Sequence, residues 1–154
     1  MPEATGTEAI VREVQIDASP ETVFGFFTEP DKITRWLAES ATVDPRPGGI
    51  NHQTHSGGEE RRGSPYYMRG EFVEVAPPSR VVFTWGFENE DVPVKPGEST
   101  VEVTLEPSGG GTLLRLVHRD LPASEIPSHT EGWTELLARL ADLVSELERG
   151  KSTD

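Results

Sequence analysis

"SHTEGWTELLARLADLVSEL", residues 128–147, sets Trp133, Leu136, Leu137, Leu140, Leu143, Val144 and Leu147 at three- and four-residue steps. That spacing draws an apolar stripe along one side of a helix of roughly 20 residues. Glu135, Arg139, Asp142, Ser145 and Glu146 occupy the opposite side. Ser128 followed by Glu131 fits a capping box, so the helix is expected to open at Ser128. His129, next to the cap, is expected to face solvent. A helix with one apolar side needs an apolar partner, and the preceding residues supply one.

Upstream, apolar residues recur every second position. Ile10, Arg12, Val14 and Ile16 share one face of a strand over 10–17, and further strands are expected over 42–44, 50–55, 67–75, 80–87, 100–106 and 112–119. The turn-forming sequences PRPGG (45–49), PPS (77–79) and PSGGG (107–111) separate some of them. After the first strand, Ser19 can cap a helix with Pro20 at its first position and Val23, Phe24 and Phe27 on one face. A second short helix is expected over 31–37, carrying Ile33, Trp36 and Leu37. Strands and helices are segregated along the chain. The expected class is therefore α+β, a curved antiparallel sheet of six to seven strands wrapped around the C-terminal helix. Residues 1–154 are expected to make one domain with its core at about 10–148 and flexible termini. Loops 56–65 and 88–98 are polar, long enough to border an opening, and expected to be mobile.

The chain has 154 residues, 27 acidic against 14 basic side chains, and a formal net charge of −13. Such a field repels phosphate backbones, and the densest basic pair, Arg61-Arg62, stands beside Glu59-Glu60. No nucleic-acid partner is expected. The absence of cysteine removes disulfides, thiolate catalysis and thiolate metal sites. No apolar run reaches the roughly 20 residues of a membrane span, and the N-terminus has no signal-peptide pattern. A cytoplasmic protein, monomeric or weakly dimeric, is expected.

The ordered set REVQIDASPETV (12–23), TEPDKITRW (28–36), DPRPGG (44–49), GEFVEVAPPSRVVFTW (70–85), VEVTLEP (101–107), GTLLRLVH (111–118) and HTEGW (129–133) resembles the START-like (SRPBCC) superfamily. Within it, the chain is similar to the family of activator of heat-shock chaperone ATPase homologues. The resemblance implies a helix-grip fold, in which the sheet holds the C-terminal helix and leaves an apolar cavity. Its members include lipid carriers, polyketide cyclases, hormone receptors and drug-sequestering resistance proteins. The family often carries two tryptophans where this chain has Trp36-Leu37.

Alternation places Val81, Phe83, Trp85 and Phe87 on one face of their strand, Val101, Val103 and Leu105 on the next, and Leu114, Leu116 and His118 on the last. With Trp36, Trp133, Leu137 and Leu140, these either fill a core or wall a cavity. The candidate ligand-binding set is Trp36, Phe83, Trp85, Val103, Leu114, Leu116, His118, Trp133 and Leu137. His118 is expected to be the polar handle, satisfied structurally, bonding a ligand, or serving as a base. The leading expectation is an apolar small-molecule ligand, such as a lipid or secondary metabolite, with no cofactor. The first rival is a cyclase or aromatase using His118 or Tyr67. The second is a chaperone-ATPase partner using the outer sheet face. His52 and His55, three apart on a strand, face opposite ways, and no HExxH helix exists, so no metal site is expected.

Overall fold

The computed structural model describes residues 9–57 and 62–152. Glu59, Glu60 and Arg61 lie outside the described residues, and with them the middle of the expected 56–65 loop. Seven strands form one antiparallel sheet: β1 (Ile10–Ile16), β2 (Ser40–Val43), β3 (Ile50–His55), β4 (Tyr66–Ala76), β5 (Arg80–Trp85), β6 (Ser99–Ser108) and β7 (Gly111–Arg119). Their order across the sheet is β1-β7-β6-β5-β4-β3-β2. All but the first pairing join strands adjacent in sequence, and β1 closes the far edge against β7, with Ile10 opposite His118.

Two local features bend the sheet. The β4–β5 register shifts between Phe72 and Glu74, where Val73 is left outside at 54% exposure. A bulge of this kind increases twist and re-aims the strand. Nearby, β4 passes so close to β5 that a Cβ on Gly70 would stand 2.4 Å from the Thr84 carbonyl oxygen. Glycine is what permits that approach.

The concave face holds the helices. In α1 (Pro20–Thr28) the Ser19 hydroxyl accepts the Thr22 amide at 3.3 Å, and Val23, Phe24, Phe26 and Phe27 are buried. The second helix, α2, is regular only over Pro30–Ile33, and the chain then turns tightly to Leu37. That turn puts Trp36 on the core, its indole N–H donating to the Phe26 carbonyl at 3.0 Å. The long helix α3 (Ile126–Ser152) lays Trp133, Leu137, Leu140 and Val144 on the sheet, each at most 3% exposed. Arg12 of β1 donates to the Thr134 hydroxyl at 2.9 Å, tying the edge strand to the helix.

The start of α3 differs from the expected capping box. A 3-10 turn (Ala123–Glu125) leads directly into the helix at Ile126, and Pro127 takes a first-turn position where its missing N–H has no partner to lose. Ser128 is thus already inside the helix, and its hydroxyl donates back to the Glu125 carbonyl at 3.3 Å. Segment 88–98 also differs from a loose loop. Val92 and Val94 are buried, the Phe87 amide bonds the Val94 carbonyl at 2.9 Å, and Lys95 Nζ bonds the Asn89 carbonyl at 2.7 Å. Asn89 pins the segment to β4, accepting from the Tyr67 amide at 2.8 Å and donating to the Pro65 carbonyl at 3.0 Å.

Candidate functional site

Beneath the first turns of α3 the packing opens. There a cleft of about 340 Å³ is lined by His55, Ser56, Tyr66, Trp85, Phe87, Val92, Glu125, Ser128, His129, Gly132, Trp133 and Leu136. Four chain segments converge to build it: the end of β3, the start of β4, the end of β5 with the segment after it, and the first turns of α3.

Its back wall is a cluster of aromatic rings. Trp85 and Trp133 stand 5.2 Å apart between centroids, and Trp85 meets Phe87 and His55 edge-on at 5.7 and 5.5 Å. Such offset and T-shaped contacts suit the ring quadrupoles. Two of the rings also hold histidines. The Trp133 indole N–H donates to His118 Nδ1 at 3.0 Å, and the Trp85 indole N–H donates to His129 Nε2 at 3.3 Å.

Because an indole nitrogen only donates, these bonds fix the tautomers. His118 Nδ1 must be the bare nitrogen and Nε2 must carry the proton. The Ser99 hydroxyl is 2.9 Å from Nε2 and donates its own proton to the Trp85 carbonyl at 2.7 Å, so it accepts from the histidine. His129 is the opposite tautomer: Nε2 is bare and Nδ1–H donates to the Glu125 carbonyl at 3.0 Å. At His55, Nε2–H donates to Gln53 Oε1 at 2.8 Å, and Gln53 in turn donates to Asn51 Oδ1 at 3.0 Å. His55 Nδ1 is therefore bare and has no partner among the described residues, and His55 is part of the cleft wall.

All three imidazoles are held neutral. Burial, reinforced by the nearby His129 ring, pushes His118 down to about 3 and His55 down to about 4. Burial also lowers His129, against the opposing pull of Glu125.

Of the residues singled out from sequence, Trp85 and Trp133 line the cleft. Phe83, Val103, Leu114, Leu116 and Leu137 are packed in the filled core behind it, each at most 3% exposed. Trp36 is buried under α1 and α2, and borders a separate depression. His118 is at 0% exposure with both ring nitrogens bonded, so it offers the cleft no polar atom. Its place on the inner face matches the alternation, but Trp133 stands between it and the opening. His129, expected in solvent, faces the cleft instead. The earlier helix start puts it one turn inside α3, four residues before Trp133 and on the same side. Tyr67 lies on the other face of the sheet beneath the Arg69 guanidinium, remote from His118. His52 and His55 do diverge: His52 borders a shallow depression on the outer face with Arg69, Glu71 and Thr84.

Sequence reading missed Tyr66, Val92, Leu136 and the role of His55. The i, i+4 spacing of His129 and Trp133 could have revealed one of the contacts, but the seating of Val92 depends on how 88–98 folds back. Among the described residues no group of three or more His, Cys, Asp or Glu side chains is placed to hold a metal ion. No described helix is long and apolar enough to cross a membrane.

Residues 17–145 match the family described as Activator of Hsp90 ATPase homolog 1-like protein. The chain belongs to that family. Its fold is the START-like helix grip that the sequence resemblance implied. The chain is similar to the AHSA1-like protein RHE_CH02687 of Rhizobium etli, with 38% identity and a TM-score of 0.68, covering 94% of this chain and 84% of that one. It is also similar to CV1439 of Chromobacterium violaceum, with 27% identity and a TM-score of 0.76 over 89% of this chain and 96% of that one. DynU16, a protein in the dynemicin biosynthetic locus, shares the fold at 24% identity and a TM-score of 0.73. That match covers 92% of this chain and 48% of DynU16. No curated protein matches the chain significantly.

Proposed function

We infer that this protein binds or sequesters a compact apolar small molecule in the cleft at the mouth of the grip, and that it does so without catalysis. One observation carries the reading: an opening of about 340 Å³ walled by Tyr66, Trp85, Phe87, Trp133 and Leu136 at the start of α3. Ligand sites run from roughly 300 to 1,000 Å³ and are mostly apolar with a few placed polar groups. This cleft sits at the small end of that range, sized for one or two fused rings or a short chain. Among the polar residues of its lining, His55 offers a bare Nδ1, an acceptor suited to a ligand hydroxyl or amide N–H.

The cyclase reading draws less support. Efficient general bases titrate near the working pH, and both His55 and His118 are held far below it. A chaperone-partner role rests on the family description alone, whereas the cleft favours a small molecule. The occurrence of the fold in DynU16 agrees with a role beside secondary metabolism. A cytoplasmic monomer or weak dimer belongs to the same proposal.

The test is titration with the neutral dye N-phenyl-1-naphthylamine. Saturable fluorescence enhancement at unit stoichiometry, with quenching of tryptophan emission from the cleft wall, is expected. No saturable binding of the dye would overturn the reading.

A further inference from the structure

A second, smaller depression of about 170 Å³ adjoins the aromatic cleft. It is lined by Thr34, Arg35, Trp36, Leu37, Ala38, Glu39, Ser56 and Arg139, and Ser56 borders both openings. The two also follow each other along α3, with Leu136 in the first and Arg139 in the second. Three residues of helix advance about 4.5 Å, so the openings are neighbours within one turn.

Their linings contrast in chemistry. The first is ringed by aromatics, and the second has two arginines, Arg35 and Arg139, in its lining. Arg139 is oriented by a single bond, donating from an Nη nitrogen to the Trp36 carbonyl at 3.2 Å, and most of its five donors remain unused. Neither Arg35 nor Arg139 has a carboxylate within 4.0 Å among the described residues. This holds although Glu39 borders the same depression and Glu135 and Asp142 flank Arg139 on α3.

Several other arginines do have such a partner. With 27 acidic and 14 basic side chains, carboxylates are in excess. Arg46, Arg69, Arg80, Arg115 and Arg119 each have one within 4.0 Å. Each guanidinium is a planar fork of donors suited to a carboxylate or phosphate oxygen pair, and here two arginines without a carboxylate line one depression beside an apolar cleft.

The geometry points to an amphipathic anion as the ligand: an apolar body in the aromatic cleft, and an acidic head group passing Ser56 to meet Arg139 and Arg35. This rests on the cleft reading above and narrows its ligand from any apolar molecule to one with an acid at one end. Local positive charge is needed because the net charge of −13 repels anions from the surface as a whole.

The experiment displaces N-phenyl-1-naphthylamine from the intact chain at pH 7.5 with decanoate and, separately, with 1-decanol. Decanoate is expected to displace the dye at concentrations at least tenfold lower than decanol. The double variant Arg35→Gln/Arg139→Gln should erase that difference while leaving dye affinity unchanged, and Arg139→Lys should restore part of it. Equal competition by acid and alcohol, indifferent to the arginine substitutions, would overturn the anion site and leave the cleft reading standing. Failure of the dye to bind at all would remove both.

Discussion

The indole N–H of Trp133 on α3 donates to Nδ1 of His118 on β7 at 3.0 Å, inside a core where neither side chain is more than 2% exposed. The bond joins the gripping sheet to the gripped helix, and it continues through Ser99 to the Trp85 carbonyl.

Replacing Trp133 by Phe keeps most of the ring and removes the donor. His118 Nδ1 is then buried without a partner, which costs about 1–3 kcal/mol. The expected result is a fall of that size in unfolding free energy by urea titration. Ser99→Ala should behave similarly from the other side of the imidazole. No change in either variant would show that the chain of bonds contributes nothing.

Acid should loosen the fold before most carboxylates titrate. His118 and His55 have folded-state values near 3 and 4, below the 6.5 of an unfolded histidine. The unfolded chain therefore binds more protons between those limits. Stability is full above pH 6.5 and declines as pH falls toward 4, by about 2 kcal/mol per histidine at pH 5. Urea midpoints at pH 7.5, 6.5, 5.5 and 5.0 check this. A flat profile across that range would contradict neutral, buried imidazoles.

Gly132 occupies the wall of the cleft within α3, and a Cβ there would meet nothing within 4 Å. Gly132→Ala is expected to stabilise the helix by roughly 0.5–1 kcal/mol. Gly132→Phe should fill the opening and abolish dye binding while the protein stays folded. Dye affinity unaffected by the phenylalanine would place the bound dye elsewhere.

Asn89→Ala removes two side-chain bonds that fasten segment 88–98 to the β4 region, leaving the Glu88 amide on the Tyr67 carbonyl and the Glu88–Arg69 pair in place. Amide hydrogen exchange should accelerate through 88–98, and Val92 should lose its fixed place in the cleft wall. Exchange rates equal to those of the parent would mean that burial of Val92 and Val94 and the Glu88 bonds hold the segment without Asn89.

The fold was readable because its two periods are clean. Alternation, strict over Ser99, Val101, Val103 and Leu105 in β6, and three-to-four spacing in 133–147 each point one way, and the sheet and helix formed where those patterns run. Element ends were less legible. Ser128 and Glu131 satisfy a capping pattern, yet Pro127 and the preceding 3-10 turn let the helix begin earlier. The candidate site was partly hidden for a related reason. Alternation tells which face a residue takes, and it correctly turns Phe83, Leu114, Leu116 and His118 inward. It does not tell how far along the grip the packing stops. That depends on where 88–98 folds back and how α3 is seated, which are long-range matters with no local signal.

Trp85 and Trp133 each carry two duties, forming the cleft wall with their ring faces and clasping a histidine with their ring N–H. A change of ligand shape cannot be made by trimming either indole without also releasing a clasp. Tyr66, Phe87 and Leu136 take no part in those clasps. Specificity is thus free to drift on one side of the opening and is tethered on the other, which makes this a pocket with a fixed jaw and an adjustable one.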